Sequence, residues 1–161
     1  MAHSSKDEQL IKEILTSAKT IAMVGVSSIK REEPSNNIRR RPSIIVMKYL
    51  KEFGYRVIPV NPTSVGKKIH EETVVAKLED ITIPIDIVNV FRPSIEASMF
   101  AKQAVNIRAK VLWLQYGIKN QEAQEIANSA NITYIANRCI KQEYQRLFLK
   151  VTPVFPALQT D

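Results

Sequence analysis

Residues 20–62 read TIAMVGVSSIKREEPSNNIRRRPSIIVMKYLKEFGYRVIPVNP, and the reading of this stretch decides the fold. Ile21, Ala22, Met23 and Val24 form a short apolar run that ends at Gly25, as expected of a buried strand meeting a turn where the backbone needs freedom. From Pro42 to Phe53 the apolar residues fall at Ile45, Val46, Tyr49, Leu50 and Phe53, a spacing of three and four that paints one face of a helix. Gly54 stands where a helix C-cap belongs, and Arg56 to Val60 gives a second apolar run. The order strand, glycine turn, helix, strand is a βαβ unit with a right-handed crossover. Open sheets of this kind take their ligands beyond the carboxyl ends of the strands. Here those ends are Gly25-Val26-Ser27-Ser28 and Asn61-Pro62.

The same pattern extends in both directions. Asp7 to Ala18 predicts an amphipathic lead-in helix, with Ser5 as its cap and Asp7 and Glu8 in its first turn, so that residues 1–19 precede the first strand, Thr20 to Val26. Residues 29–40 are polar and charged and read as a surface loop insert. After Asn61-Pro62 a turn around Gly66 leads to a short helix near Val75 to Leu78. Strands follow at Asp86–Phe91, Lys110–Gln115 and Ile132–Ala136, alternating with helices from Pro93 to Val105, from Asn120 to Asn131 and from Ile140 to Leu149. The tail, residues 150–161, carries two prolines and reads as extended. Five strands alternating with helices imply an α/β fold: a doubly wound, mostly parallel five-stranded sheet with helices on both faces. No repeat or linker divides residues 1–161, so one domain is expected.

Composition narrows the function classes. With 161 residues the chain can bury a sizeable core without staples, and its single cysteine, Cys139, excludes an internal disulfide framework. No apolar run approaches the roughly 18 residues that span a bilayer, and the polar N-terminus is unlike a secretory signal, so a cytoplasmic location is expected. The net charge of +7 favours acidic partners, either nucleic acid or a polyphosphorylated small molecule. No RNA-recognition motif, zinc finger or GXXG clamp supports nucleic acid.

Nor are the common nucleotide motifs present. Gly25 is not followed by the G-x-G-x-x-G pattern, the second strand ends in Asn61-Pro62 rather than an acid, and no P-loop occurs. What remains at Gly25 is a turn with two hydroxyls and backbone N–H groups, suited either to a pyrophosphate or to an ordinary strand-to-loop connection.

The segments VGVSS, RPSIIVMKYLKEFGYRVIPVNP, DIVNVFRPS, VLWLQYGI and NRCIKQEY, in that order, resemble the small stand-alone CoA-binding domain proteins. These are similar in turn to the nucleotide-binding domain of the succinyl-CoA synthetase alpha subunit. The resemblance covers about Thr20 to Leu147 and implies a Rossmann-like fold holding coenzyme A, free or as an acyl-CoA, across the strand ends. It would place Gly25, Val26, Ser27 and Ser28 at the pyrophosphate. Ser43, after Arg41-Pro42, would open the helix that faces the same phosphate. Asn61 and Pro62 would lie beside the adenosine half, Phe91, Arg92 and Pro93 along the pantetheine arm, and Leu114, Gln115 and Tyr116 at the closing strand end. Each has a plainer role open to it: Phe91 in the core, Arg92 as a solvated charge, Gln115 bonded to a loop, Asn61 as a turn residue. The insert at 29–40 lengthens the connection that the family keeps short, bringing Arg39 and Arg40 either to the phosphates or into solvent.

A catalytic apparatus is not legible. The synthetase relatives need a phosphorylatable histidine in a second domain, and this chain offers only His3, expected in a frayed terminus, and His70, in the turn after Gly66 and read as a surface residue. No zinc or serine-hydrolase pattern appears. Cys139, between Arg138 and Ile140 at the start of the last helix, reads as a small buried filler or as a nucleophile able to form a mixed disulfide with CoA. A CoA-binding module is therefore expected, the alternatives being an enzyme acting on an acyl-CoA or other nucleotide, or a nucleotide-responsive regulatory protein.

Overall fold

The computed structural model describes residues 5–26 and 42–150. The 29–40 insert, the tail beyond Lys150, His3 and three expected site residues, Ser27, Ser28 and Arg41, lie outside the described residues.

Strands β1 (Thr20–Val24) and β2 (Arg56–Val60) and helix α2 (Pro42–Glu52) form the expected βαβ unit, the two strands parallel with Thr20 opposite Arg56 and Val24 opposite Val60. Helix α2 ends as the glycine predicts. Gly54 has φ +101°, its N–H donates to the Lys51 carbonyl, and that of Tyr55 to the Leu50 carbonyl, the paired bonds of a Schellman cap. After the hairpin β3 (Lys68–Ile69) and β4 (Glu72–Thr73), strands β5 (Ile87–Val90), β6 (Val111–Leu114) and β7 (Thr133–Ile135) complete a parallel five-stranded sheet in the order β2-β1-β5-β6-β7. Pro59 fits because β2 is an edge strand, where a missing ladder N–H is tolerated.

Strand alternation divides the core into two layers. Ile21, Met23, Ile87, Val111 and Trp113 face helices α1 (Ser5–Ser17), α2 and α5 (Ile140–Tyr144), meeting Ile11, Leu15, Met47, Leu50 and Ile140. Ala22, Val24, Val88, Val90, Leu112 and Leu114 face α3 (Ala97–Asn106) and α4 (Gln121–Ser129). There Ala97, Ala101, Ala104, Ala123 and Ala127 are all buried, and their short side chains let helix and sheet approach closely. Asn120 caps α4, its Oδ1 accepting from the Ala123 N–H at 2.8 Å. Helix α1 is tied to the last helix by Arg146, which bridges Glu8 and the buried Glu143 at 2.7 Å each.

Three local expectations are corrected. The short helix near Val75 to Leu78 is instead an extended residue followed by a 3-10 turn at Leu78–Asp80. Val75 bridges Val60, donating to the Pro59 carbonyl and accepting from the Asn61 N–H, because the open edge of β2 carries polar groups that need partners. The β3–β4 hairpin was not foreseen, since its turn places His70 (φ 48°) and Glu71 (φ 72°) in the left-handed region without a glycine or asparagine to announce it. The last helix changes pitch, winding as a π-helix over Gln145–Leu149.

Candidate functional site at the carboxyl edge of the sheet

All five strands run parallel, so α2, which returns the chain from the end of β1 to the start of β2, has its N-terminus at the carboxyl edge. From β1 the chain moves outward to β2 on one side, and later strands are added on the other, which makes the gap between β1 and β5 the topological switch point. Backbone bonds stitch the neighbouring strand tips together there. Gly25 donates to the Val60 carbonyl at 2.9 Å, Phe91 to Val24 at 2.8 Å and Gln115 to Val90 at 3.2 Å. The expected residues Gly25, Asn61, Phe91, Arg92 and Gln115 thus follow four adjacent strands along one edge.

Gly25 sits at the switch point and is required there. Its φ is +94°, and a Cβ would stand 3.0 Å from Arg92 Cδ and 3.1 Å from the Phe91 carbonyl oxygen. A positive φ and a contact this tight leave no room for a side chain.

The side chains divide into those that hold the edge and those that face outward. Asn61 holds it: Nδ2 donates to the Val26 carbonyl at 3.0 Å, and Oδ1 accepts from the N–H and hydroxyl of Thr63 at 2.9 and 2.8 Å. These bonds tie the β1 turn to the end of β2 and cap the 3-10 turn Pro62–Ser64. Gln115, only 7% exposed, accepts through Oε1 from the Ile140 N–H at 3.0 Å and from Asn89 Nδ2 at 3.2 Å, and so anchors the start of α5. Val26 and Leu114 are buried and contribute packing. Ser43 is buried in the first turn of α2. Phe91 is half-buried against the α1, α2 and α5 layer, while Pro93 and Tyr116 are exposed at the rim.

Arg92 is the cation that follows β5 beside the switch point. Its stem lies across Gly25, and its guanidinium forms a fork on Glu96, Nε to Oε1 at 3.0 Å and Nη2 to Oε2 at 2.7 Å. The hydrogen bond from Arg92 holds the Glu96 carboxyl below the usual range, and the same bond raises the Arg92 pKa.

Two residues of the edge were missed from the sequence. Asn89 is fully buried in β5; its Nδ2 also points to the Trp113 carbonyl at 3.3 Å, and its Oδ1 is buried without a hydrogen-bond partner. A lone amide inside the apolar run DIVNVF was the available signal. Glu96 follows Arg92 at the i,i+4 spacing, a signal legible once Arg92 is singled out. Cys139 occupies the N-cap of α5, half-buried. His70 is half-buried rather than a surface residue, with Nε2 3.2 Å from the Ile44 carbonyl in α2.

A groove of about 760 Å³ lies elsewhere, between α3 and α4, lined by Lys102, Val105, Glu122 and Ile126 among others. It is an open furrow on the outside of the helix layer, away from the strand tips. Among the described residues no group of three His, Cys, Asp or Glu could hold a metal, and no helix is long and apolar enough to cross a membrane.

An open parallel sheet with a glycine turn at its switch point and a helix N-terminus on the same edge defines a Rossmann-like nucleotide-binding class of fold. The chain belongs to the CoA binding domain family, which matches residues 19–145. It is 40% identical over 144 residues to the protein YneT of Bacillus subtilis (strain 168), covering 88% of this chain and 95% of that one. A solved protein from Pyrococcus horikoshii OT3 superposes with a TM-score of 0.78 at 36% identity, over 91% of this chain and 99% of the other. One from Thermus thermophilus gives 0.77 at 38% identity, over 88% and 98%. An acetyl-coenzyme A synthetase of Ca. Korarchaeum cryptofilum shares the fold over 74% of this chain and 26% of its own, with a TM-score of 0.57 at 19% identity.

Proposed function

We propose that this chain binds coenzyme A, as the free thiol or as an acyl ester, along the carboxyl edge of its sheet. The observation that carries the reading is the convergence at Gly25. A backbone turn too close to Phe91 and Arg92 to admit a side chain lies at the switch point, on the edge where α2 presents its N-terminus. Amide N–H groups at a helix N-terminus and a neighbouring guanidinium stabilise a diphosphate without an acidic residue or a P-loop. Membership of the CoA binding domain family supports the choice of ligand. In this reading Gly25, Ser27, Ser28 and Ser43 attend the pyrophosphate, with Arg41 beside the helix start. Asn61 and Gln115 shape the groove through the backbone they hold, and Phe91, Pro93 and Tyr116 supply its apolar rim. In this reading the chain acts as a binding module.

Calorimetric titration with CoA, acetyl-CoA, NAD and ATP tests the proposal. CoA and its ester are expected to bind with similar affinity and at least tenfold more tightly than NAD, roughly 1.4 kcal/mol of discrimination. Preference for NAD or ATP over CoA would refute it.

A further inference from the structure

Arg92 is poised over the site yet spends its charge on a neighbour. Its Cδ and Cγ approach the position of a Gly25 Cβ to 3.0 and 3.2 Å, while Nε and Nη2 both bond to Glu96. Glu96 in turn stands at the N-cap position of α3 but makes no side-chain bond to the helix amides. Its carboxylate reaches back to Arg92 instead. The pair is exposed, with 45% of the Arg92 side chain and 31% of that of Glu96 accessible. An exposed i,i+4 pair shifts an equilibrium by only about twofold, so a diphosphate presented to the same fork can displace the carboxylate. Carboxylate and phosphate match the guanidinium plane equally well, and the more highly charged group wins in the same solvent.

We infer that Glu96 tunes ligand affinity: it holds the Arg92 guanidinium and gives it up to a phosphorylated ligand. This rests on the proposed CoA site and adds the exchange of partners within it. Glu96 weakens binding in two ways, by competing for the guanidinium and by repelling the incoming anion. A positioning role would need the pair to fix Arg92 firmly, which an exposed contact of this strength does not do. Removing the carboxylate charge while keeping the side-chain shape is therefore expected to tighten binding, by about three- to tenfold when the competition is combined with the lost repulsion in water.

The experiment titrates the wild type, Glu96→Gln, Arg92→Ala and the double variant with CoA, and separately with inorganic pyrophosphate, at one salt concentration near neutral pH. Thermal unfolding of each variant checks that the fold is intact. The expected result is a gain in affinity for both probes in Glu96→Gln, a loss in Arg92→Ala, and a Glu96→Gln gain reduced to within about twofold when Arg92 is absent. Unchanged or weaker binding in Glu96→Gln, or a gain that survives undiminished without Arg92, overturns the exchange. CoA binding with no Glu96→Gln gain sinks the exchange and leaves the CoA reading standing. Pyrophosphate binding that gains in Glu96→Gln while CoA fails to bind sinks the CoA reading and leaves the exchange standing. Failure of both probes on every variant sinks both.

Discussion

Asp86, just before β5, and Arg92, just after it, stand on opposite edges of one sheet, and the company they keep differs. Asp86 is enclosed. Its Oδ2 accepts from the N–H groups of Lys19 and Thr20 at 2.8 and 3.2 Å, Lys110 lies 3.5 Å from Oδ1, and the Thr20 hydroxyl donates to the Pro84 carbonyl at 2.8 Å. Burial opposes its ionisation, yet these donors and the lysine outweigh it and the carboxyl titrates below the usual range. Arg92 is bonded to one exposed carboxylate on its own turn. Asp86 is thus tied to partners distant in sequence, whereas Arg92 is held by a local, exposed pair while its stem lies across the Gly25 turn. The same strands feed both edges, so the contrast lies in the side chains that follow them. In the proposed reading the bonds of Asp86 are structural, and Arg92 is the group from which a ligand would gain bonds.

Substitutions that separate stability from binding can break or sharpen this contrast. The largest effect is expected from Gly25→Val, where strain at positive φ and collision with Phe91 and Arg92 together cost roughly 2–4 kcal/mol. Urea denaturation should show that loss, and calorimetry should show CoA binding abolished. Next is Asp86→Ala, expected to cost about 2–3 kcal/mol, because hydrogen bonds to a charged, largely enclosed group are the stronger kind, with CoA affinity within about twofold of wild type. The pH dependence has a defined sign. The Asp86 pKa is lower in the folded than in the unfolded chain, so its contribution is complete above the ordinary carboxyl value of 3.8 and disappears as pH falls through the folded value. Denaturation followed between pH 6 and strong acid should show a shallower loss in Asp86→Asn than in wild type; equal slopes would remove Asp86 from the account.

Gln115→Leu comes third. It strands the buried Ile140 N–H and loosens Asn89, for about 1–2 kcal/mol, and a weaker CoA affinity should accompany it because α5 loses its anchor. Arg92→Ala has the smallest effect on folding, within about 0.5 kcal/mol for an exposed pair, but should lower CoA affinity about tenfold. A variant at Arg92 that unfolds the chain, or one at Asp86 that abolishes binding, would erase the distinction between the edges.

The parts of the molecule that were legible in the sequence are those set by local pattern. The run Ile21–Val24 before Gly25 and the glycine that ends α2 determined the βαβ unit, and the strand tips followed from it; the α2 face was read only in part, since Val46 and Leu50 are buried with Met47 while Ile45 and Phe53 are exposed. The His70–Glu71 turn was not legible, since non-glycine residues with positive φ give no compositional sign. Val75 was read as helical because its extended state is imposed by the open edge of β2, a partner absent from any local window. At the site, sequence located the tips but not the division of labour among them. Asn61 and Gln115 are suitable ligand-binding residues by type, yet register places Val26 within reach of one and Ile140 within reach of the other. Asn89 could have been placed by counting alternation from Ile87, which puts it on the α1, α2 and α5 face beside Trp113.

The most direct test of the central claim is the map of backbone amide shifts in an NMR titration with CoA. The account predicts saturable changes concentrated at Gly25, Val26, Ser43, Asn61, Phe91, Arg92 and Gln115, with Thr20, Asp86 and Lys110 unmoved. Changes concentrated instead between α3 and α4, around Lys102 and Ile126, or on the amino edge, would contradict it.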